Sequence, residues 1–137
     1  MKVLVATDGS EQATKAVKRA LELAEKEGAK VTLISVAYYS MDGFDDMPLK
    51  IQEKLQAEAN EALAKGKSLF DKKGIDVETE MQAGLVPANN IIRKAKEGKF
   101  DLILIGSTGL SGLQRIMMGS TAVKIAMYAP CSVSIIR

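Results

Sequence analysis

Short apolar runs alternate along this chain with stretches in which apolar residues recur at every third or fourth position. The first run, KVLVAT (residues 2–7), is continuous, which predicts a strand covered on both faces. Over residues 10–27 the period changes. Ala13, Ala16, Val17, Ala20, Leu21 and Ala24 fall on one stripe of a helix, and Gly28 stands where helices commonly end. KVTLISVA (residues 30–37) predicts a second strand. Residues 49–73 predict a long helix, with Leu55, Ala59, Ala62, Leu63, Gly66, Leu69 and Phe70 on its apolar side and Gly74 closing it. Residues 76–82 alternate, with Val77 and Met81 inward, and make a weaker strand pattern. Residues 87–97 return to the helical period through Ala88, Ile91, Ile92 and Ala95. FDLILIG (residues 100–106) is the most apolar run and reads as a central strand. Residues 120–128 carry Ala122, Val123, Ile125 and Ala126, and CSVSIIR (residues 131–137) is the last strand.

The order βαβαβαβαβ predicts an α/β fold with a parallel sheet, helices on both faces and right-handed crossovers. Five strands do not close an eight-stranded barrel, so the sheet is open and doubly wound. Ligands of such sheets bind at the carboxyl ends of strands, where the winding reverses. That directs attention to residues 7–10, 38–48 and 106–119. No linker, repeat or low-complexity tract interrupts residues 1–137, which read as one domain.

Composition narrows the chemistry. Nineteen basic and 17 acidic side chains leave a net charge of +2, which is no electrostatic footprint for nucleic acid or a membrane surface. The chain has no Trp, three Tyr and three Phe, too few for a base-stacking surface. It has no His, which removes His-based triads, proton shuttles and His-ligated metals. Cys131 is the single cysteine, so no internal disulfide and no Cys-cluster metal site forms. Beside Pro130 it reads as a small buried hydrophobe. The apolar run from Val3 to Thr7 is too short for a signal-peptide core, and no window approaches the ~18 apolar residues of a membrane helix. The expected location is cytoplasmic.

GSTGLSGLQRIMMGST (residues 106–121) is the densest stretch of candidate chemistry. Gly106, Gly109, Gly119 and Ser120 give G-x2-G-x9-G-S. Glycines at a strand exit let backbone approach a ligand closely. Gly119, Ser120 and Thr121 stand where the fourth helix begins, and free N–H groups, the helix dipole and two hydroxyls there suit an anion. Three or four charge-assisted hydrogen bonds would reach roughly micromolar binding of a polyphosphate. The stretch is neither a Gly-Lys-Ser/Thr phosphate loop nor G-x-G-x-x-G. The plainer reading is a long surface loop with Ser120 as an N-cap.

DLILIGSTGLSGLQRIMMGSTAVKIAMYAPCSVSIIR (residues 101–137) resembles the universal stress protein family, in particular its ATP-binding branch, whose motif is G-x2-G-x9-G-S/T. VLVATDGSEQATKAVKRALELA and AGLVPANNIIRKA resemble it too, so the likeness covers essentially the whole chain apart from residues 38–48. It implies a Rossmann-like sheet of order 3-2-1-4-5 and ATP or a related adenine nucleotide, with Mg²⁺ as the expected companion of ATP, lying over strands one, two and four. Ala6, Thr7 and Asp8 match the family's first-strand contacts, and Val36 matches the residue packed on adenine. Gly106, Ser107 and Gly109 match the ribose and phosphate contacts. Gly119, Ser120, Thr121 and Ala122 match the phosphate cradle. Thr108 departs from the Arg or His common at its position and leaves a neutral hydroxyl there. The resemblance also implies homodimers joined through the last strand, Cys131 to Arg137, whose edge is otherwise an unpaired template.

Structural readings stand beside these. Asp8-Gly9-Ser10-Glu11 has capping-box spacing, so Asp8 is also a candidate N-cap. Arg115 is a phosphate cation or a solvated charge. Asp42, Asp45 and Asp46 suggest calcium, but Phe44 and Met47 occupy the third and sixth positions of an EF-hand register, which rejects it. Three functions follow: a nucleotide-dependent stress regulator, a slow ATP hydrolase, and a dimeric stress scaffold that binds no nucleotide. The lack of His and of a carboxylate beyond Asp8 disfavours hydrolysis.

Overall fold

The computed structural model describes residues 1–40, 47–108 and 119–137. In chain order the elements are β1 (Lys2–Ala6), α1 (Glu11–Glu27), β2 (Lys30–Ala37), α2 (Leu49–Asp71), β3 (Glu78–Ala83), α3 (Pro87–Glu97), β4 (Leu102–Gly106), α4 (Ser120–Tyr128) and β5 (Ser132–Ile136). The strands form one parallel sheet in the order β3-β2-β1-β4-β5. This is the doubly wound sheet that the alternating periods predict.

Alternation along the strands divides the core into two layers. Val3 and Val5 of β1, Val31 and Leu33 of β2 and Leu104 of β4 pack against α1 and α2. Leu4, Ala6, Ile34, Ile103 and Ile105 point to the other face and pack against α3 and α4. Val3, Leu4 and Val5 have no solvent exposure, which is why their run is continuous in sequence. In α1 the predicted stripe is buried, with Leu23 added and Ala24 partly covered. Gly28 closes that helix through its N–H on the Ala24 carbonyl at 3.1 Å. Gly66 lets α2 lie close on the sheet, since a Cβ there would sit 2.7 Å from Leu33 Cδ1.

Several details differ from the sequence pattern, and β1, β4 and β5 are each a residue or two shorter than their apolar runs. β3 begins at Glu78 rather than 76, because its ladder with β2 starts at the Thr32–Glu78 pair. Ile75 and Val77 pack on the α1–α2 layer without joining the ladder. α2 ends at Asp71, and a turn carries the chain to Gly74. On α4 only Ala122 and Ile125 are buried; Val123 and Ala126 face outward, which narrows the stripe.

A polar link fastens edge strand β3 to α3. Lys94 Nζ lies 2.8 Å from Glu80 Oε1. Gln82 Nε2 donates to Glu80 Oε2. Asn90 Nδ2 donates to Gln82 Oε1 at 2.9 Å and to the Ala83 carbonyl at 3.1 Å. The hydrogen bond from Lys94, and then that from Gln82, hold the Glu80 carboxyl below its ordinary value of 4.5. A lowered folded value means that the ionised form stabilises the fold above the unfolded value and that this contribution is lost as pH falls. The stability gap between the protein and Glu80→Gln, followed by urea unfolding, is therefore expected to be widest at neutral pH. It should close as pH drops below about 4.5; a gap that is constant with pH would remove the ion pair from the account.

Candidate functional site

Helices α1 and α2 cover one face of the sheet and α3 and α4 the other. The chain therefore leaves β1 and β4, which are neighbours, in opposite directions. The carboxyl ends of these strands part into a cleft of about 270 Å³, at the switch point where open α/β sheets bind ligands. Its walls include Ala6, Thr7, Asp8, Val36, Gly106, Ser107, Gly119, Ser120, Thr121 and Ala122. The structure thus gathers every described residue of the predicted set. Gly109 lies outside the described residues, as do Arg115 and the acidic Asp42, Asp45 and Asp46.

On the β1 side the backbone makes a tight polar turn. Thr7 is buried, its N–H donates to the Ile34 carbonyl at 2.9 Å, and its Oγ1 accepts from Gly9 N–H at 3.2 Å. Asp8 Oδ1 accepts from Ser10 N–H at 2.9 Å. Gly9 has φ +81°, a conformation that side chains with a Cβ rarely adopt. The N-cap of α1 is Ser10, whose Oγ accepts from Ala13 N–H at 3.1 Å. This corrects the reading of Asp8 as N-cap. The left-handed step at Gly9 sets Asp8 two residues before the cap, where it lines the cleft.

The β4 side depends on a close approach. A Cβ on Gly106 would lie 2.9 Å from the Gln12 carbonyl carbon and 3.1 Å from Ala13 N. The first turn of α1 therefore rests on bare backbone at the end of β4. Ser107 is buried, and its N–H donates to the Ile136 carbonyl at 2.8 Å. Its own carbonyl accepts from Gly119 N–H at 2.6 Å, which ties the start of α4 to the end of β4.

Gly119 is the N-cap of α4 and no side chain caps that helix. Ser120 is thus its first helical residue, not its cap. Val123 N–H bonds the Gly119 carbonyl at 3.1 Å. The preceding N–H groups, of Ser120, Thr121 and Ala122, are those a helix cannot satisfy internally. All three residues line the cleft, at the positive end of the helix dipole.

The rest of the lining is largely apolar. Val36 and Ile34 come from β2, Ile105 from β4, and Pro87 and Ile91 from the first turns of α3. The sequence reading assigned no role to Ala13, Ile34, Pro87, Ile91 or Ile105. All but Pro87 fall on core runs or stripes, and nothing in the periodicity distinguishes a core residue at a layer's end from a wall residue. Asn90 was also missed. It is a buried amide within an apolar stripe, and it fixes the α3 start against β3. Thr108, noted as a departure from the family pattern, lines the cleft.

Elsewhere the candidates are plainer. Burial, and then the Asp101 carboxylate, push the Cys131 thiol above its ordinary value, which disfavours a thiolate. Among the described residues no cluster of three acidic or sulfur ligands forms, and no helix is long and apolar enough to cross a membrane.

The comparisons with known proteins point one way. The sequence model of the universal stress protein family matches residues 1–137. A universal stress protein of Methanocaldococcus jannaschii is 37% identical, over 99% of this chain and 81% of its own. Among solved structures, the universal stress protein UspA of Lactobacillus plantarum is similar with a TM-score of 0.84 and 29% identity, covering 100% of this chain and 97% of that one. A universal stress protein in complex with cAMP is similar with a TM-score of 0.76 and 25% identity, over 100% and 97% of the two chains.

The tight contact at Gly106 carries a prediction. Gly106→Ala meets main-chain atoms of Gln12 and Ala13, which have no rotamer to relax into. The expected cost is about 1–3 kcal/mol, read as a lower urea midpoint. An unchanged midpoint would mean that α1 shifts without penalty.

Proposed function

The chain belongs to the universal stress protein family, and from that premise we propose that it is a cytoplasmic stress-response protein that binds ATP with Mg²⁺ and acts as a nucleotide-dependent regulator. One observation carries this reading. Apolar side chains and an uncapped helix start line a single cleft. The first suits a planar base and the second suits phosphate. The relative with cAMP supports an adenine nucleotide as the class of ligand.

In this reading Val36, with Ile34, Pro87 and Ile91, packs on the base. Ala6, Thr7 and Asp8 bound the base and ribose. Gly106, Ser107 and Gly109 contact the ribose and first phosphate. Gly119, Ser120, Thr121 and Ala122 cradle phosphate with backbone N–H groups and hydroxyls. Such charge-assisted hydrogen bonds contribute about 1.5–3 kcal/mol each. The donors also fit Mg²⁺, which keeps most of its waters and is held through phosphate oxygens and one or two carboxylates. Asp8 and the hydroxyls of Ser120 and Thr121 are the oxygen ligands at hand.

Titration calorimetry of nucleotide-stripped protein with Mg-ATP tests the proposal. Saturable binding near one per chain, at roughly micromolar strength, is the expected result. Ser120→Asp puts a carboxylate where phosphate would sit, while the helix start tolerates an acidic residue. It should weaken ATP more than about tenfold with no loss of thermal stability. No heat, and no competition by ADP or AMP, would withdraw the site.

We also propose a homodimer through β5. This strand ends the sheet, with Cys131, Val133 and Ile135 packed on the α3–α4 layer and Ile136 on the other. Its outer edge carries few charges to deter another strand. Light scattering should give twice the chain mass of 14.7 kDa; a monomer at all concentrations would rule the pairing out.

A further inference from the structure

A second groove opens beside the cleft and shares Pro87, Ser120 and Thr121 with it. The residues that start α4 therefore face two cavities at once. Lys124 lines the groove. It stands four residues after Ser120 and three after Thr121, so all three share a face of the helix. Helical side chains lean toward the N-terminus. The Lys124 stem thus reaches back along the roughly 6 Å of helix that separates it from Ser120.

Two features set this lysine apart. It is half-buried, yet among the described residues the ion pairs are Arg19–Glu22, Lys67–Asp71 and Lys94–Glu80, and none uses Lys124. It is also the one Lys or Arg among the described residues lining the cleft or the groove. A half-buried lysine at a cavity wall, with no carboxylate partner among the described residues, suits an anion that arrives from outside. A phosphate on the α4 N–H groups would sit at the junction of the two cavities. A second or third phosphate attached to it would then lead toward Lys124.

Resting on the nucleotide reading above, we propose that Lys124 is the specificity-determining residue for the outer phosphates. It makes the site select nucleoside di- and triphosphates over the monophosphate. Thr108, a neutral hydroxyl, supplies no charge for that purpose, whereas a lysine one turn into α4 does.

The experiment compares AMP and ATP, both in Mg²⁺ buffer, on the native protein, Lys124→Met and Lys124→Arg. The Met variant keeps the stem and its packing, and Arg keeps the charge. ATP should bind Lys124→Met about tenfold more weakly, with AMP unchanged within about twofold, and Lys124→Arg should restore most of the ATP affinity. The salt dependence of ATP binding should also flatten in Lys124→Met. Unfolding temperatures without nucleotide should coincide, which separates ligand contact from fold. Equal weakening of AMP and ATP, or no change in either, overturns the role of Lys124 while leaving the nucleotide site standing. Failure of the native protein to bind either nucleotide overturns both.

Discussion

Strand β1 has no side that can face water. Val3 and Val5 point into one layer and Leu4 and Ala6 into the other, so helices must cover both faces of the sheet. A chain that winds onto one face and then the other has to reverse, and it does so between β1 and β4. The reversal sends the loops after these strands apart and leaves a gap between them. The cleft is thus a geometric consequence of burying one five-residue strand on both sides. Gly106 sharpens that consequence, since a side chain there would push the first turn of α1 away from the strand ends.

Within the gap the two kinds of wall have separate origins. Apolar residues arrive at the ends of β2 and α3 as extensions of the core stripes. Polar groups come from backbone that secondary structure leaves unpaired, at the turn after β1 and at the start of α4. The Glu80–Gln82–Asn90–Lys94 link bears on the apolar wall. It holds the first turns of α3, and with them Pro87 and Ile91, against β3. A site of this kind needs few dedicated side chains, because the donors are main-chain groups placed by topology.

Much of this was legible in the sequence for physical reasons. Continuous runs such as residues 2–7 exist only where both faces are covered, and the α1 stripe with Gly28 left little choice of boundaries. Glycine spacing after β4 singled out Gly106, Gly119 and Ser120. Other features were set by tertiary context. The start of β3 depends on where β2 is free to pair. The cap of α1 lies two residues and that of α4 one residue from the expected place, because the left-handed step at Gly9 and the Gly119–Ser107 bond decide where each helix begins. Val123 and Ala126 belong to an apolar-looking stripe yet face outward, as a short helix buries only its inner line. Asn90, a polar residue to which the periodicity gives no place, is buried with the α3 core stripe.

The two edges of the sheet are chemically unlike. At β3 the edge sequence is ETEMQA, and two such edges meeting about a two-fold axis would bring the acidic residues Glu78 and Glu80 of both copies close together. Like charges set opposite one another disfavour that pairing. At β5 the edge is SVSII, without a charge. Self-association through the sheet then has one receptive end per molecule. Two receptive ends meeting about a two-fold axis consume each other, and the joined sheet presents only repelling strands outward. In the homodimer proposed above, growth by strand addition would therefore terminate at the pair instead of running on into a fibre. The asymmetry of charge between the first and last strands of the sheet is, in that sense, a limit on assembly size.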